Sequence, residues 1–209
     1  MKTKFEVARL LLQSKAIKLE PTNPFTWASG WKSPIYCDNR KTLSFPATRN
    51  IIRDEFVRLI EREYGIPGVI AGVATGGIAQ AALIADRLEL PMVYIRSSAK
   101  SHGLENLIEG VLEPGQKVVV VEDLISTGGS SLKAVEALRN AGAKVLGMVA
   151  IFTYGFETAR ANFEKQKCKL FTLSNYESLL DIALEEGSIN RSHLEVLKDW
   201  RKDPENWGK

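Results

Sequence analysis

Four consecutive valines, Val118 to Val121, constrain this chain more than any other stretch of it. They are β-branched, stiff at χ1 and apolar on both faces of a pleated strand, so they fit a central strand covered by helices on both sides. Glu122 and Asp123 follow at once, and the strand is expected to end near Glu122. Then come Leu124-Ile125-Ser126-Thr127-Gly128-Gly129-Ser130-Ser131, after which Leu132, Val135 and Leu138 recur at helical spacing. A Ser/Thr/Gly loop that opens directly onto a helix leaves unpaired N–H groups and the positive end of the dipole facing outward. That is an anion site, with phosphate as its usual guest. Adjacent acids repel one another and persist best where a ligand or cation uses both. A phosphate that also carries hydroxyls, such as a ribose 5-phosphate, would use both halves of the stretch.

The rest of the chain alternates around that strand. Strands are expected over 69–73, 92–95, 118–121 and 145–152, with a further short one at 171–173, and helices over 45–64, 77–88 and 130–141. Ser44 is the candidate N-cap of the helix over 45–64, with Pro46 in its first turn. Strands separated by helices imply right-handed crossovers and an α/β fold with a mostly parallel, doubly wound sheet. Ahead of this lie a helix carrying Phe5, Ala8, Leu11 and Leu12 and a β-rich piece, Phe25 to Arg40, that reads as a hairpin around a Ser-Gly turn. Leu179 to Leu184 and Leu194, Leu197 and Trp200 are expected to lie on two closing helices. One boundary is worth drawing, near residue 43: a small helix-and-hairpin piece over 1–43 and a core over 44–209, working as one domain.

Composition narrows the function. Twenty-eight basic against 25 acidic residues give a charge of +3, without the Lys/Arg run that nucleic-acid binding needs. Small anionic substrates suit that balance. Cys37 and Cys168 are isolated and lack CxxC spacing, so they read as reduced thiols. No apolar signal segment or transmembrane-length run is present, and a cytoplasmic location is expected.

In an open parallel sheet, ligands bind outside the carboxyl ends of the strands, and three segments of this chain fall there. They are Thr75-Gly76-Gly77, the loop from Arg96 to Glu109 with Arg96, Lys100, His102 and Gly103, and the valine stretch with its acids. Each has a plainer explanation: a tight strand-to-helix turn, a surface excursion carrying a surface histidine, and two solvated acids. Loops of that length inside compact domains are usually lids, however. A Walker A loop is excluded because no lysine follows Gly128-Gly129, and a dinucleotide fingerprint because GxGxxG is absent from both glycine loops.

Residues 118–131 resemble the phosphoribosyl-diphosphate motif of type I phosphoribosyltransferases. With Phe25 to Arg40, Gly72 to Ile78 and Arg96 to Gly110, the chain is similar to the orotate phosphoribosyltransferases over nearly its whole length. The resemblance implies that residues 1–43 form a hood over the base and that Glu122 and Asp123 hold the ribose hydroxyls, directly or through magnesium. Leu124, Ile125, Ser126, Thr127, Gly128, Gly129 and Ser130 would cradle the 5-phosphate, while Thr75, Gly76 and Gly77 meet the diphosphate. Arg96, Lys100 and His102 would bind the diphosphate, the last two on a loop over 97–110 that in this family reaches into the neighbouring subunit's site, with Gly103 and Gly110 as hinges. A homodimer follows, with Lys100, His102 and Asp123 as the catalytic set. Magnesium is the implied cofactor, held mainly through the substrate, with Glu122 and Asp123 as candidate protein ligands.

Ala28, Gly76 and Ser97 stand where the enterobacterial pattern has lysines, and Tyr154 where it has an arginine that helps hold the pyrimidine carboxylate. Ser126, Tyr36, Lys32 and Tyr154 are therefore the candidates for orotate. Two other functions stay open on sequence grounds: transfer to a purine or to uracil, and a non-catalytic sensor of phosphoribosyl diphosphate. The hairpin Lys32-Ser33-Pro34-Ile35-Tyr36 disfavours the first, and the absence of a DNA-binding segment disfavours the second.

Overall fold

The computed structural model describes residues 2–27, 29–97 and 107–208. The chain gathers into two compact units, one of Arg49–Leu173 and one of Met1–Thr48 with Ser174–Lys209. In order, the elements are α1 (Lys2–Gln13), β1 (Ile17–Leu19), β2 (Phe25–Thr26), β3 (Lys32–Ser33), β4 (Ile35–Cys37), a 3₁₀ segment (Asn39–Ser44), α2 (Pro46–Tyr64), β5 (Val69–Val73), α3 (Gly76–Leu88), β6 (Met92–Ile95) and β7 (Ile108–Glu109). They continue with β8 (Lys117–Ile125), α4 (Gly129–Asn140), β9 (Lys144–Thr153), α5 (Glu157–Lys165), β10 (Leu170–Asn175), α6 (Tyr176–Glu185) and α7 (Arg191–Lys202).

The main sheet runs β10-β9-β8-β5-β6-β7. β5 pairs in parallel with β6 and β8, and β8 in parallel with β9. The four valines are fully buried inside it, as residues apolar on both faces require. The apolar stripes of the helices are buried too, including Ile52, Phe56 and Ile60 of α2, which leads into β5, and Ala81 and Ile84 of α3 and Leu132, Val135 and Leu138 of α4 on the crossovers. From β5 the chain crosses by α3 to β6 on one side; from β8 it crosses by α4 to β9 on the other. The carboxyl ends of β5 and β8 therefore form the switch point at which doubly wound sheets bind ligands.

Several expectations are corrected here. β8 does not stop at Glu122 but runs to Ile125: its pairing with β5 ends at Gly72↔Val121, yet the ladder with β9 continues through Glu122↔Ala150, Leu124↔Phe152 and Ile125↔Thr153. Ser44 caps no helix; it ends the 3₁₀ segment, where the Phe45 N–H bonds to the Thr42 carbonyl, and Pro46 opens α2. The hairpin pairs Phe25↔Ser33 and Thr26↔Lys32, but β4 leaves it to pair antiparallel with β1. At the sheet edge β7 pairs antiparallel with β6, which shortens the long loop at its far end. The highly charged α5 was not anticipated, because among its residues only Ala159 and Phe163 are buried.

In the other unit, Trp200 is fully buried and donates from Nε1 to the Lys32 carbonyl at 3.2 Å, while Trp27 meets its ring edge-on at 5.6 Å. The Tyr176 hydroxyl donates to the Leu197 carbonyl at 3.0 Å, and the Ser174 hydroxyl to that of Lys4 at 2.8 Å. Buried aromatic rings whose polar tips find carbonyls hold the N-terminal residues and the C-terminal helices as one unit. No described helix is long and apolar enough to cross a membrane, and Cys37 and Cys168 are both free thiols.

Candidate active site

The switch point brings two of the three sequence segments into contact. Thr75 precedes α3 after a cis Ala74–Thr75 peptide and does not cap the helix with its side chain. Gly77 lies flat on β8: a Cβ there would collide with the Val121 carbonyl oxygen, a backbone atom that cannot yield. At Gly76 a Cβ would occupy the space of the Asp123 carboxylate. The two glycines thus let the start of α3 sit against the end of β8 and place the Asp123 side chain beside the Thr-Gly-Gly turn.

The two adjacent acids have different surroundings. Glu122 is buried; its Oε2 accepts from the Ser131 hydroxyl at 2.9 Å and its Oε1 from the Asp123 N–H at 3.0 Å. Burial, reinforced by the neighbouring Asp123 charge, pushes the Glu122 carboxyl up to about 8. Asp123 is half-buried, beside the glycines. One acid is therefore enclosed at the base of the loop, while the other lies beside the Thr-Gly-Gly turn.

Beyond Ile125, whose carbonyl accepts the Tyr154 N–H at 3.2 Å, the chain turns through Ser126 and Thr127 into Gly128. Gly128 has φ +79° and ψ 0°, and α4 begins at the next residue with no side-chain cap. An uncapped α4 start, with half-buried Ser126 and Thr127 and exposed Gly129 and Ser130 around it, offers amides and hydroxyls to an anion. From behind, α5 braces the loop: the Asn162 Nδ2 donates to the Thr127 carbonyl at 3.0 Å, and a Cβ on Gly128 would fall 2.7 Å from the Phe163 ring. Asn162 and Phe163 were missed from sequence, as was the bond of the loop residue Ser131 to Glu122; the four-residue spacing of Ala159 and Phe163 was the one available signal for α5.

At the end of β6, the Arg96 N–H bonds to the Leu107 carbonyl at 2.8 Å, and its guanidinium pairs with Glu109 of β7 at 3.3 Å. Glu109, also unforeseen, holds the Arg96 guanidinium through one of its nitrogens. Gly110, at φ +106°, is packed so that a Cβ would lie 3.1 Å from Val93 Cγ1. The far end of the 97–110 loop is thus tied to the sheet. Lys100, His102 and Gly103, and likewise Ala28, lie outside the described residues.

Of the base candidates, Tyr154 is only 2% exposed, stacked on Phe156 at 5.3 Å and edge-on to Phe152 at 5.6 Å. It lines the interior behind the loop, and its ring presents no open face. Tyr36 and Lys32 belong to the other unit, where both are exposed; Phe25 packs against the Tyr36 ring at 5.6 Å, and Lys32 Nζ donates to Thr26 Oγ1 at 2.8 Å. Among the described residues, no three His, Cys, Asp or Glu side chains form a metal cage.

The family model for the phosphoribosyl transferase domain matches residues 46–186. An orotate phosphoribosyltransferase of Porphyromonas gingivalis is 61% identical over 202 residues, covering 97% of this chain and 96% of the relative. One of Listeria monocytogenes serotype 4b is 56% identical over 204 residues, 98% of each chain. Among solved structures, orotate phosphoribosyltransferase from Aeropyrum pernix is similar with a TM-score of 0.76 at 28% identity, covering 88% of this chain and 99% of that one. UMP synthase of Leishmania donovani gives a TM-score of 0.80 at 26% identity, covering 95% of this chain and 42% of that longer one. With the uncapped loop, the paired acids and the Thr-Gly-Gly turn gathered at one switch point, these matches place the chain in the phosphoribosyltransferase family, among the orotate phosphoribosyltransferases.

Proposed function

We propose that this protein transfers the 5-phosphoribosyl group of phosphoribosyl diphosphate to N1 of orotate, giving orotidine 5′-phosphate and diphosphate on the route to UMP. The observation that carries this is the contact of the Thr75-Gly76-Gly77 turn with Asp123 at the end of β8, beside the uncapped start of α4. A ribose ring bearing a phosphate at one end and a diphosphate at the other needs those three features next to one another.

Orotate gives up its N1 proton, the C1–O bond to diphosphate breaks, and the C1–N1 bond forms on the opposite face with inversion. Bond breaking runs ahead of bond making, so positive charge grows on the ribose while negative charge grows on the departing diphosphate. Asp123 supplies a carboxylate on the ribose side. Arg96, Lys100 and His102 are assigned to the leaving group, with the amides of the Thr-Gly-Gly turn. A single well-placed donor of this kind is worth about 10²–10³ in rate. Ser126, Thr127, Gly128, Gly129 and Ser130 hold the 5-phosphate, and Ser126, Tyr36 and Lys32 are assigned to orotate.

Asp123 fits a magnesium ion brought in on phosphoribosyl diphosphate, with substrate oxygens completing the coordination; Glu122, turned inward to Ser131, is suited to holding Asp123 and the loop in place. When bound, the ion would neutralise diphosphate charge. The unit of function is a cytoplasmic homodimer in which the 97–110 loop covers the partner's site and excludes water, the competing nucleophile.

The test is loss of orotate absorbance on adding phosphoribosyl diphosphate and magnesium. Consumption of adenine or uracil but not orotate would overturn the choice of base.

A further inference from the structure

α5 lies outside the strand–loop–helix stretch that forms the phosphate loop, yet two successive side chains of it reach that loop. Asn162 Nδ2 donates to the Thr127 carbonyl at 3.0 Å, and the ring of Phe163, itself buried, lies against Gly128. The peptide plane between Thr127 and Gly128 is the one these contacts grip. The next plane is already set by the helix, since the Gly128 carbonyl accepts the Leu132 N–H at 2.9 Å in the first turn of α4. The Thr127–Gly128 plane lies before that ladder, and no intrahelical bond orients it. A flip of this peptide turns ψ of Thr127 and φ of Gly128, and with glycine at 128 the backbone on that side resists it very little.

The bond is trans, so its C=O and N–H point in opposite directions. Drawing the Thr127 carbonyl toward α5 turns the Gly128 N–H away from α5, into the loop. A flipped peptide would instead present a carbonyl oxygen to an anion. We infer that Asn162 is a positioning residue for the 5-phosphate, fixing the Thr127–Gly128 peptide so that the Gly128 amide donates to the phosphate; this rests on the phosphate-binding role given to the loop above. Asn162 touches no substrate in this scheme and acts only through the backbone it holds.

The test compares wild type with Asn162→Asp, which keeps the shape but replaces the donor by a group that repels the carbonyl, and with Asn162→Ala. Titration calorimetry measures binding of orotidine 5′-phosphate, of orotidine, and of diphosphate with magnesium, and thermal melts verify folding. Loss of a donor to a charged group should weaken orotidine 5′-phosphate by about tenfold or more in both variants, while diphosphate stays within about twofold. A general loosening of the fold would weaken both ligands alike, and that result overturns the inference. So does an Asn162→Asp protein that binds orotidine 5′-phosphate as wild type does. Wild type binding orotidine as tightly as its 5′-phosphate would remove the phosphate-binding role of the loop, and the inference with it.

Discussion

Replacing Gly128 by alanine strikes the phosphate loop at its tightest point. Gly128 sits at φ +79°, where a side chain costs roughly 1–2 kcal/mol in backbone strain. Its new Cβ would lie 2.7 Å from Phe163 Cε2 and 3.2 Å from Cδ2. Carbon atoms rest about 3.5–4.0 Å apart, so the ring must retreat by roughly 1 Å. Phe163 is only 4% exposed, and although it lines a cavity of about 620 Å³ its ring must leave its packed position to yield, which adds an overpacking cost of about 1–3 kcal/mol. Together the two costs come to about 2–5 kcal/mol, and at about 2–4 °C for each kcal/mol a melting-point drop of roughly 4–20 °C is expected. KM for phosphoribosyl diphosphate should rise as the loop is displaced. Phe163→Leu removes the colliding ring atoms but leaves the strain. In a double-mutant cycle followed by thermal melts, Gly128→Ala and Phe163→Leu should therefore couple favourably by about 1–3 kcal/mol. Strictly additive losses, or a Gly128→Ala protein with wild-type melting and KM, would refute the packing described for the loop.

Glu122 should make stability depend on pH. Its carboxyl is held at about 8 against an ordinary 4.5, so its contribution is full below about pH 4.5 and falls by about 1.4 kcal/mol per pH unit until the pH passes 8. Glu122→Gln keeps the shape and removes that slope; urea unfolding at pH 6 and pH 8 should differ less for the variant than for wild type, by on the order of 2 kcal/mol, and equal differences would contradict the assignment. Lys100→Ala should cut turnover sharply with little change in orotate binding, and mixing it with Asp123→Asn subunits should restore some activity if the loop works across the dimer. Verified heterodimers without recovery would count against shared sites. A thiol reagent should titrate the half-buried Cys37 in the native protein and reach Cys168, buried and with its thiol pushed up by that burial, only after denaturation. Two fast-reacting thiols in the native state would show that Cys168 is not enclosed.

Much of this was legible in the sequence because local pattern and local structure coincide. A run of valines has one comfortable place in an α/β fold, and glycines and hydroxyl residues between a strand and a helix mark an anion loop wherever the strand ends up. The alternation of strands and helices was enough for a doubly wound sheet with its binding edge at the carboxyl ends. Tertiary structure decided what depends on pairing across long separations. The ladder with β9 carried β8 past its acids to Ile125. β4 went to β1 rather than to its neighbour in the hairpin, and the C-terminal helices joined the N-terminal residues as one unit. Glu122 and Asp123 are adjacent and chemically alike; only the fold, by enclosing one against Ser131 and setting the other beside Gly76, gave them different surroundings. The brace from Asn162 and Phe163 lies 35 residues from the loop it holds, with no motif to announce it, because its meaning is a contact and not a composition.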